Sequence, residues 1–259
     1  MAEYTATEIM TIEAARRLAN GTVCFVGIGM PSAAANLARL THAPEVVLIY
    51  ESGTIGAKPD VLPLSIGDGE LAEHADTVVS IPEIFRYWLQ GGRVDVGFLG
   101  AAQVDRFGNI NTTVIGDYAH PKVRLPGAGG APEIASNAKE TWIIIKQTKR
   151  SFVPKLDFLT SVGHLTGGDS RAKSGARGAG PTAVITDLGV LAPDPATREL
   201  TLVALHPGVT VEQAKAATGW DLKVAPSLAH TEPPTAAELE TLRALQARTA
   251  KAHGTVSSE

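Results

Sequence analysis

The chain has 259 residues, 44% of them hydrophobic and 19% charged, which is enough apolar content to build a core and too much for a disordered chain. The formal net charge is −4 with no long basic run, which speaks against nucleic acid as a partner. No apolar stretch approaches the ~20 residues of a membrane-spanning helix. No signal-peptide pattern is present, and the only cysteine, Cys24, falls in the apolar run Val23–Val26, so a buried core thiol and a cytoplasmic location are expected.

Residues 1–20 are predicted as a helix, capped by Thr7, with apolar residues at Ile9, Ile12, Ala15 and Leu18. A short strand over Thr22–Val26 follows, and Gly27-Ile28-Gly29-Met30-Pro31-Ser32 turns the chain into a helix at 32–42. Val46–Tyr50 is the second strand, residues 52–67 a loop, Asp76–Ser80 a third strand and Pro82–Gln90 a helix. Val94–Leu99 reads as a buried strand, and Gly108-Asn109 as a turn before a strand over Ile110–Ile115. Residues 116–137 are Gly- and Pro-rich and contain Gly127-Ala128-Gly129-Gly130. Strands are expected at Thr141–Lys146, Phe158–Val162, Thr182–Thr186 and Leu200–Leu205. Gly163–Gly180 is expected as a surface loop. Thr210 with Gln213 three residues on has the form of a capping box, and Thr235–His253 is an amphipathic helix.

Short strands alternating with helices predict an α/β fold with a largely parallel open sheet flanked by helices. No linker divides the chain, so a single domain over 1–253 with a frayed tail at 254–259 is expected. Glu51 is the most informative residue. It ends the apolar run Val46–Tyr50 and precedes Ser52-Gly53, which places a carboxylate at the carboxyl edge of the sheet, where ligands bind in such folds. A Glu there is a base, a nucleophile or a capping acid. Three Gly-containing turns follow predicted strands, at 27–31, 100–109 and 127–130. Their amides suit the phosphates of a nucleotide-like ligand or a developing oxyanion.

Other chemistries find no motif. The dinucleotide pattern fails because Ser32 stands where a third Gly or an Ala belongs, and no G-K-[ST] occurs. The seven histidines are scattered without metal-ligand spacing, and no G-x-S-x-G elbow surrounds Ser52.

Five segments together carry a family resemblance: Cys24–Pro31 (CFVGIGMP), Tyr50–Pro59 (YESGTIGAKP), Gly97–Asn111 (GFLGAAQVDRFGNIN), Pro126–Glu133 (PGAGGAPE), and His206–Thr210 (HPGVT) with Thr218-Gly219-Trp220. Over residues 5–253 the chain resembles the β subunit of family I CoA-transferases, most closely the branch that moves CoA from succinyl-CoA to 3-oxoadipate in aromatic-compound degradation. The resemblance implies the NagB/RpiA/CoA-transferase-like fold, a separate α subunit as partner in a heterodimer or α2β2 heterotetramer, and no metal or cofactor, CoA being a substrate. It implies that Glu51 is a covalent nucleophile passing through a glutamyl-CoA thioester, and that Gly129 and Gly130 supply oxyanion amides. It further implies that Gly27, Ile28, Gly29, Met30 and Pro31 contact CoA, with Asn109 or Asn111 and a basic residue, Lys149 or its neighbours Lys146 and Arg150. Relatives acting on glutaconate or acetoacetate, and ring-opening CoA-thioester hydrolases, are the neighbouring possibilities.

Overall fold

In the computed structural model, residues 3–254 are described. Helix α1 (Ala6–Arg16) leads into strand β1 (Val23–Val26) and helix α2 (Met30–Leu40). Strand β2 (Val47–Ile49) doubles back into β3 (Thr54–Ile55); helix α3 (Glu70–Glu73), β4 (Thr77–Val78) and the single turn α4 (Ile81–Glu83) follow. A π-helical segment, Ile84–Leu89, continues α4 and precedes β5 (Val96–Gly100). Two small hairpins, β6 (Gln103–Val104) with β7 (Ile110–Asn111) and β8 (Val114–Gly116) with β9 (Pro121–Arg124), lead to α5 (Ala131–Asn137) and β10 (Glu140–Ile144). The chain closes with α6 (Ser170–Lys173), β11 (Pro181–Ile185), β12 (Gly189–Pro193), β13 (Leu200–Leu205), α7 (Val211–Ala216), β14 (Lys223–His230) and α8 (Ala236–Ala252).

Ten strands form one sheet in the order β14-β13-β12-β11-β10-β5-β1-β2-β3-β4. The central block from β11 to β2 is parallel throughout. Antiparallel pairs join β12 and β13 on one side and β3 and β4 on the other, and β14 runs parallel to β13. The α/β expectation therefore holds, with a parallel centre and mixed flanks.

Strand periodicity of two divides the core between the two faces. Cys24, Val26, Leu48, Tyr50, Phe98, Trp142 and Ile144 pack on one face with α1, α2 and α8. Phe25, Ile49, Leu99 and Ile143 pack on the other with Ile84, Leu89 and Ile134. On the first face, a capping box of Thr5 and Glu8 starts α1, and Arg16 pairs with Glu238 at 2.6 Å to tie α1 to α8.

Several expectations shift. Thr5, not Thr7, caps α1. Helix α2 begins at Met30, because Pro31 fits the first helical turn. The strand expected at Phe158–Val162 is reduced to one bridge between Ser161 and Ile110. The Ile110–Ile115 run breaks in two where Asn111 accepts the amides of Thr113 and Val114 and turns the backbone. The 163–180 segment is no loose loop. It holds α6, and buried Arg171 donates to the carbonyls of Gly163 (2.9 Å) and Ala135 (2.7 Å) among others. Residues 1–2 of the helix expected over 1–20, and residues 255–259 of the tail expected over 254–259, lie outside the described residues.

Candidate active site

Parallel strands aim their carboxyl ends at one edge of the sheet, and β1, β2 and β5 stand side by side there. Glu51 follows β2 directly. The Gly53 N–H donates to Tyr50 O at 3.0 Å and the Tyr50 N–H to Thr54 O at 3.1 Å, so Glu51 occupies the tip of a tight turn. Gly53 has φ +105°, and a Cβ there would collide with the Val79 carbonyl oxygen, so the turn requires glycine. Tyr50 faces α2, where its hydroxyl lies 2.8 Å from Ser32 Oγ and 3.2 Å from Asn36 Nδ2. Burial pushes this phenol up to about 12 despite those hydrogen bonds, which keeps it protonated. Alternation then turns Glu51 toward the opposite face, the side of Phe25, Phe85 and α5.

There Glu51 lines a cavity of about 470 Å³. This is the size of a small-molecule site. All three Gly-containing turns reach it: Gly27 and Ile28, then Gly100, Ala101 and Ala102, then Gly127, Ala128 and Gly129. Phe25, Leu99 and Ile134 supply apolar wall, and among the described residues Glu51 is its one ionisable side chain. The last turn stands over the carboxylate. A Cβ on Gly129 would lie 3.6 and 3.7 Å from the two Glu51 oxygens, and one on Gly130 would lie 3.1 Å from Glu51 Cδ. Neither the Gly129 nor the Gly130 N–H donates a hydrogen bond within the described residues. A carboxylate beside two free amides, in an apolar cleft, is chemically suited to attack a carbonyl and to bind the oxyanion that results.

The remaining sequence-derived residues divide. Gly29, Met30 and Pro31 form the start of α2 beside Gly27 and Ile28. Asn109 and Asn111 are not brought to the cavity. Asn109 donates to Asp105 and the Leu165 carbonyl and accepts from Gly163 and Leu165. Asn111, fully buried, donates to Gln103 and the Val114 carbonyl. Thr112, directly after Asn111, does reach the wall, and its hydroxyl donates to Gly127 O at 2.8 Å, so the Asn-bearing hairpin props the glycine turn. Lys146, Lys149 and Arg150 lie exposed on the loop after β10, at the same sheet edge but outside the cavity wall. Sequence reasoning missed Phe85. Its ring occupies the space beside Gly130, where a Cβ would come within 2.5 Å of Phe85 Cζ. An aromatic in a helical run reads as core, and nothing local marks it otherwise.

The Coenzyme A transferase family profile matches residues 7–217. The chain belongs to the coenzyme A transferase family. It is 67% identical to the β (B) subunit of 3-oxoadipate CoA-transferase from Pseudomonas knackmussii over the whole length of both chains. It is 36% identical to the β (B) subunit of glutaconate CoA-transferase from Acidaminococcus fermentans, covering 93% of this chain and 91% of that one. The crystal structure of glutaconate coenzyme A-transferase from the same organism superposes with a TM-score of 0.87 at 34% identity, over 93% of this chain and 94% of that one. The decarboxylase AibA/AibB shares the architecture with a TM-score of 0.80 at 25% identity, over 99% and 100% of the two chains. Among the described residues no helix is long and apolar enough to cross a membrane.

Proposed function

We propose that this transferase is the β subunit of a two-subunit enzyme moving CoA from succinyl-CoA to 3-oxoadipate, with Glu51 as covalent nucleophile. The observation that carries the chemistry is Glu51 beneath the free amides of Gly129 and Gly130 in an apolar cavity. The 67% full-length identity supports the acid, against 36% for the glutaconate relative. The Glu51 carboxylate attacks the acyl-CoA carbonyl, the carbon–sulfur bond breaks, and an acyl-glutamyl anhydride and CoA thiolate form. The thiolate then attacks the glutamyl carbonyl carbon and displaces the donor acid, leaving a glutamyl-CoA thioester. The acceptor carboxylate runs the same steps in reverse. Each tetrahedral intermediate places its oxyanion toward the glycine amides, where one such donor is typically worth about 3 kcal/mol. The route needs no metal or cofactor. CoA lies along the Gly27–Pro31 turn and the start of α2, where the helix N-terminus favours its phosphates, with Lys149 or its neighbours Lys146 and Arg150 reaching it from the loop after β10. Any part for Asn109 or Asn111 in CoA binding acts through the wall they brace.

The partner is an α subunit. The relatives support this, each being named as one subunit of a larger enzyme, as do Leu64, Val78, Ile81 and Tyr87, large apolar side chains left between 52% and 68% exposed. A single buried, unpaired thiol is consistent with a cytoplasmic enzyme.

The test uses the complex co-expressed with its α subunit. Succinyl-CoA followed by borohydride should inactivate it, with the modification mapped to the Tyr50–Lys58 segment. A panel of 3-oxoadipate, glutaconate and acetoacetate should show the highest kcat/KM for 3-oxoadipate. Modification of another carboxylate with Glu51 untouched removes the mechanism; preference for another acid removes the substrate.

A further inference from the structure

The π-helical segment has no counterpart in the proposed chemistry, yet its Phe85 and the Glu51 carboxyl group both border Gly130. The Gln90 N–H closes it with a bond spanning five residues, to Phe85 O at 2.8 Å, and a second such bond, Arg93 N–H to Trp88 O at 2.9 Å, follows it. Segments of this kind insert an extra residue per turn and re-aim the side chains around it. Here Ile84 and Leu89 both stay buried in the core. The residue after Ile84, Phe85, swings its ring toward Phe25, at 5.7 Å between centroids. The ring edge also enters the gap at Gly130. Phe85 Cζ and Cε1 lie 2.5 and 2.9 Å from the point where a Gly130 Cβ would stand, and Glu51 Cδ lies 3.1 Å from that same point. Ring, glycine and carboxyl group thus meet at one place. Phe85 is itself only half-buried, so its ring lies between the Gly130 gap and the protein surface.

A CoA-transferase faces a specific hazard. Its acyl-enzyme and thioester states react with water as well as with acids. Hydrolysis adds water to the glutamyl carbonyl, breaks the carbon–sulfur bond, releases CoA as thiol and returns the Glu51 carboxylate. The CoA then reaches no acceptor. We infer that Phe85 is a positioning residue that packs behind the Glu51 carboxyl carbon, fixes the side chain under the glycine amides and bars water from its rear face, so that the glutamyl-CoA thioester partitions toward transfer. This rests on Glu51 being the covalent nucleophile.

The experiment compares wild-type complex with Phe85→Leu and Phe85→Ala, each co-expressed with the α subunit, and with Ile84→Val as a control that thins the core one residue away. Succinyl-CoA is added without acceptor acid; CoA release in water and decay of the Glu51 thioester are followed, then transfer to 3-oxoadipate. The expected result is a rise of tenfold or more in the ratio of hydrolysis to transfer for Phe85→Ala and a smaller rise for Phe85→Leu. Ile84→Val lowers the melting temperature without moving that ratio. An unchanged thioester lifetime in both Phe85 variants overturns the inference while leaving the nucleophile in place. If Phe85→Ala fails to assemble, Phe85→Leu alone decides it: an unchanged ratio there counts against. Failure of the wild-type complex to form any thioester on Glu51 instead removes the reading beneath it.

Discussion

Adding one methyl group at Gly130 probes the site with little change elsewhere. Gly130 has φ −84° and ψ −1°, a negative-φ conformation open to alanine, so Gly130→Ala demands no left-handed backbone. The methyl carbon, however, would stand 2.5 Å from Phe85 Cζ and 3.1 Å from Glu51 Cδ. Carbon atoms pack at about 3.5–4.0 Å, so the ring, the carboxyl group or both must retreat by about 1 Å. Overpacking of this kind costs about 1–3 kcal/mol of stability. A displacement of about 1 Å at a reacting group costs on the order of a hundredfold in rate, or about 2.7 kcal/mol of barrier. The expected variant therefore assembles with its α subunit, melts no more than about 10 °C lower, and loses about a hundredfold in kcat for CoA exchange. Thermal unfolding, gel filtration of the complex and steady-state exchange kinetics separate these effects. Combining Gly130→Ala with Phe85→Leu should recover part of the loss, with a coupling of about 1 kcal/mol or more, because a smaller side chain yields space to the methyl. Turnover within threefold of wild type in the single variant would refute the geometry on which the reasoning stands.

Arg171→Met should lower stability by at least about 2 kcal/mol, because several buried carbonyls lose a charged donor at once; the urea midpoint measures it, and an unchanged midpoint would mean that the 163–180 segment is not held by this side chain. Burial raises the Glu238 carboxyl, but hydrogen bonds from Arg16 and Thr235 outweigh it and hold the group down at about 2, below its ordinary 4.5. A depressed carboxyl contributes stability that is present above 4.5 and lost as the pH falls toward 2, so the difference in urea midpoint between wild type and Glu238→Gln should be largest near neutrality and shrink steadily in acid; a constant difference contradicts the assignment. Cys24 is fully buried and burial pushes its thiol up, so an aromatic disulfide reagent should label it only as fast as the native protein unfolds; rapid labelling under native conditions would contradict that burial.

Glu51 was legible because two signals coincide there: an apolar strand that stops abruptly, and a glycine two residues later that permits a tight turn. Two of the glycine turns, after β1 and β5, were legible for the same reason, since each follows a strand of the parallel block. What sequence could not supply is which turns converge, because that depends on β5, β1 and β2 being neighbours although β5 is distant in sequence. The Asn residues show how a motif hides local structure. Asn109 and Asn111 stand within a strong motif, yet the fold spends their amides on holding a hairpin together. Strand β14 went unread because Pro226 interrupts it and much of it is exposed at the sheet edge, which erases the hydrophobic alternation. Glycine density made 163–180 read as a surface loop, and one buried arginine organises it from within.

The wall around Glu51 is shaped as much by missing side chains as by present ones. At Gly53 a methyl group meets the Val79 carbonyl, and at Gly130 it meets a ring and the Glu51 carboxyl carbon. Sequence drift is therefore blocked at these positions by volume alone, whichever acid the enzyme serves. The amides of the glycine turn beside the carboxylate belong to the main chain and survive any substitution that the packing tolerates. Divergence toward new acids is thereby channelled outward, to the rim of the cavity and to whatever surface closes over it, while the packing around Glu51 stays fixed.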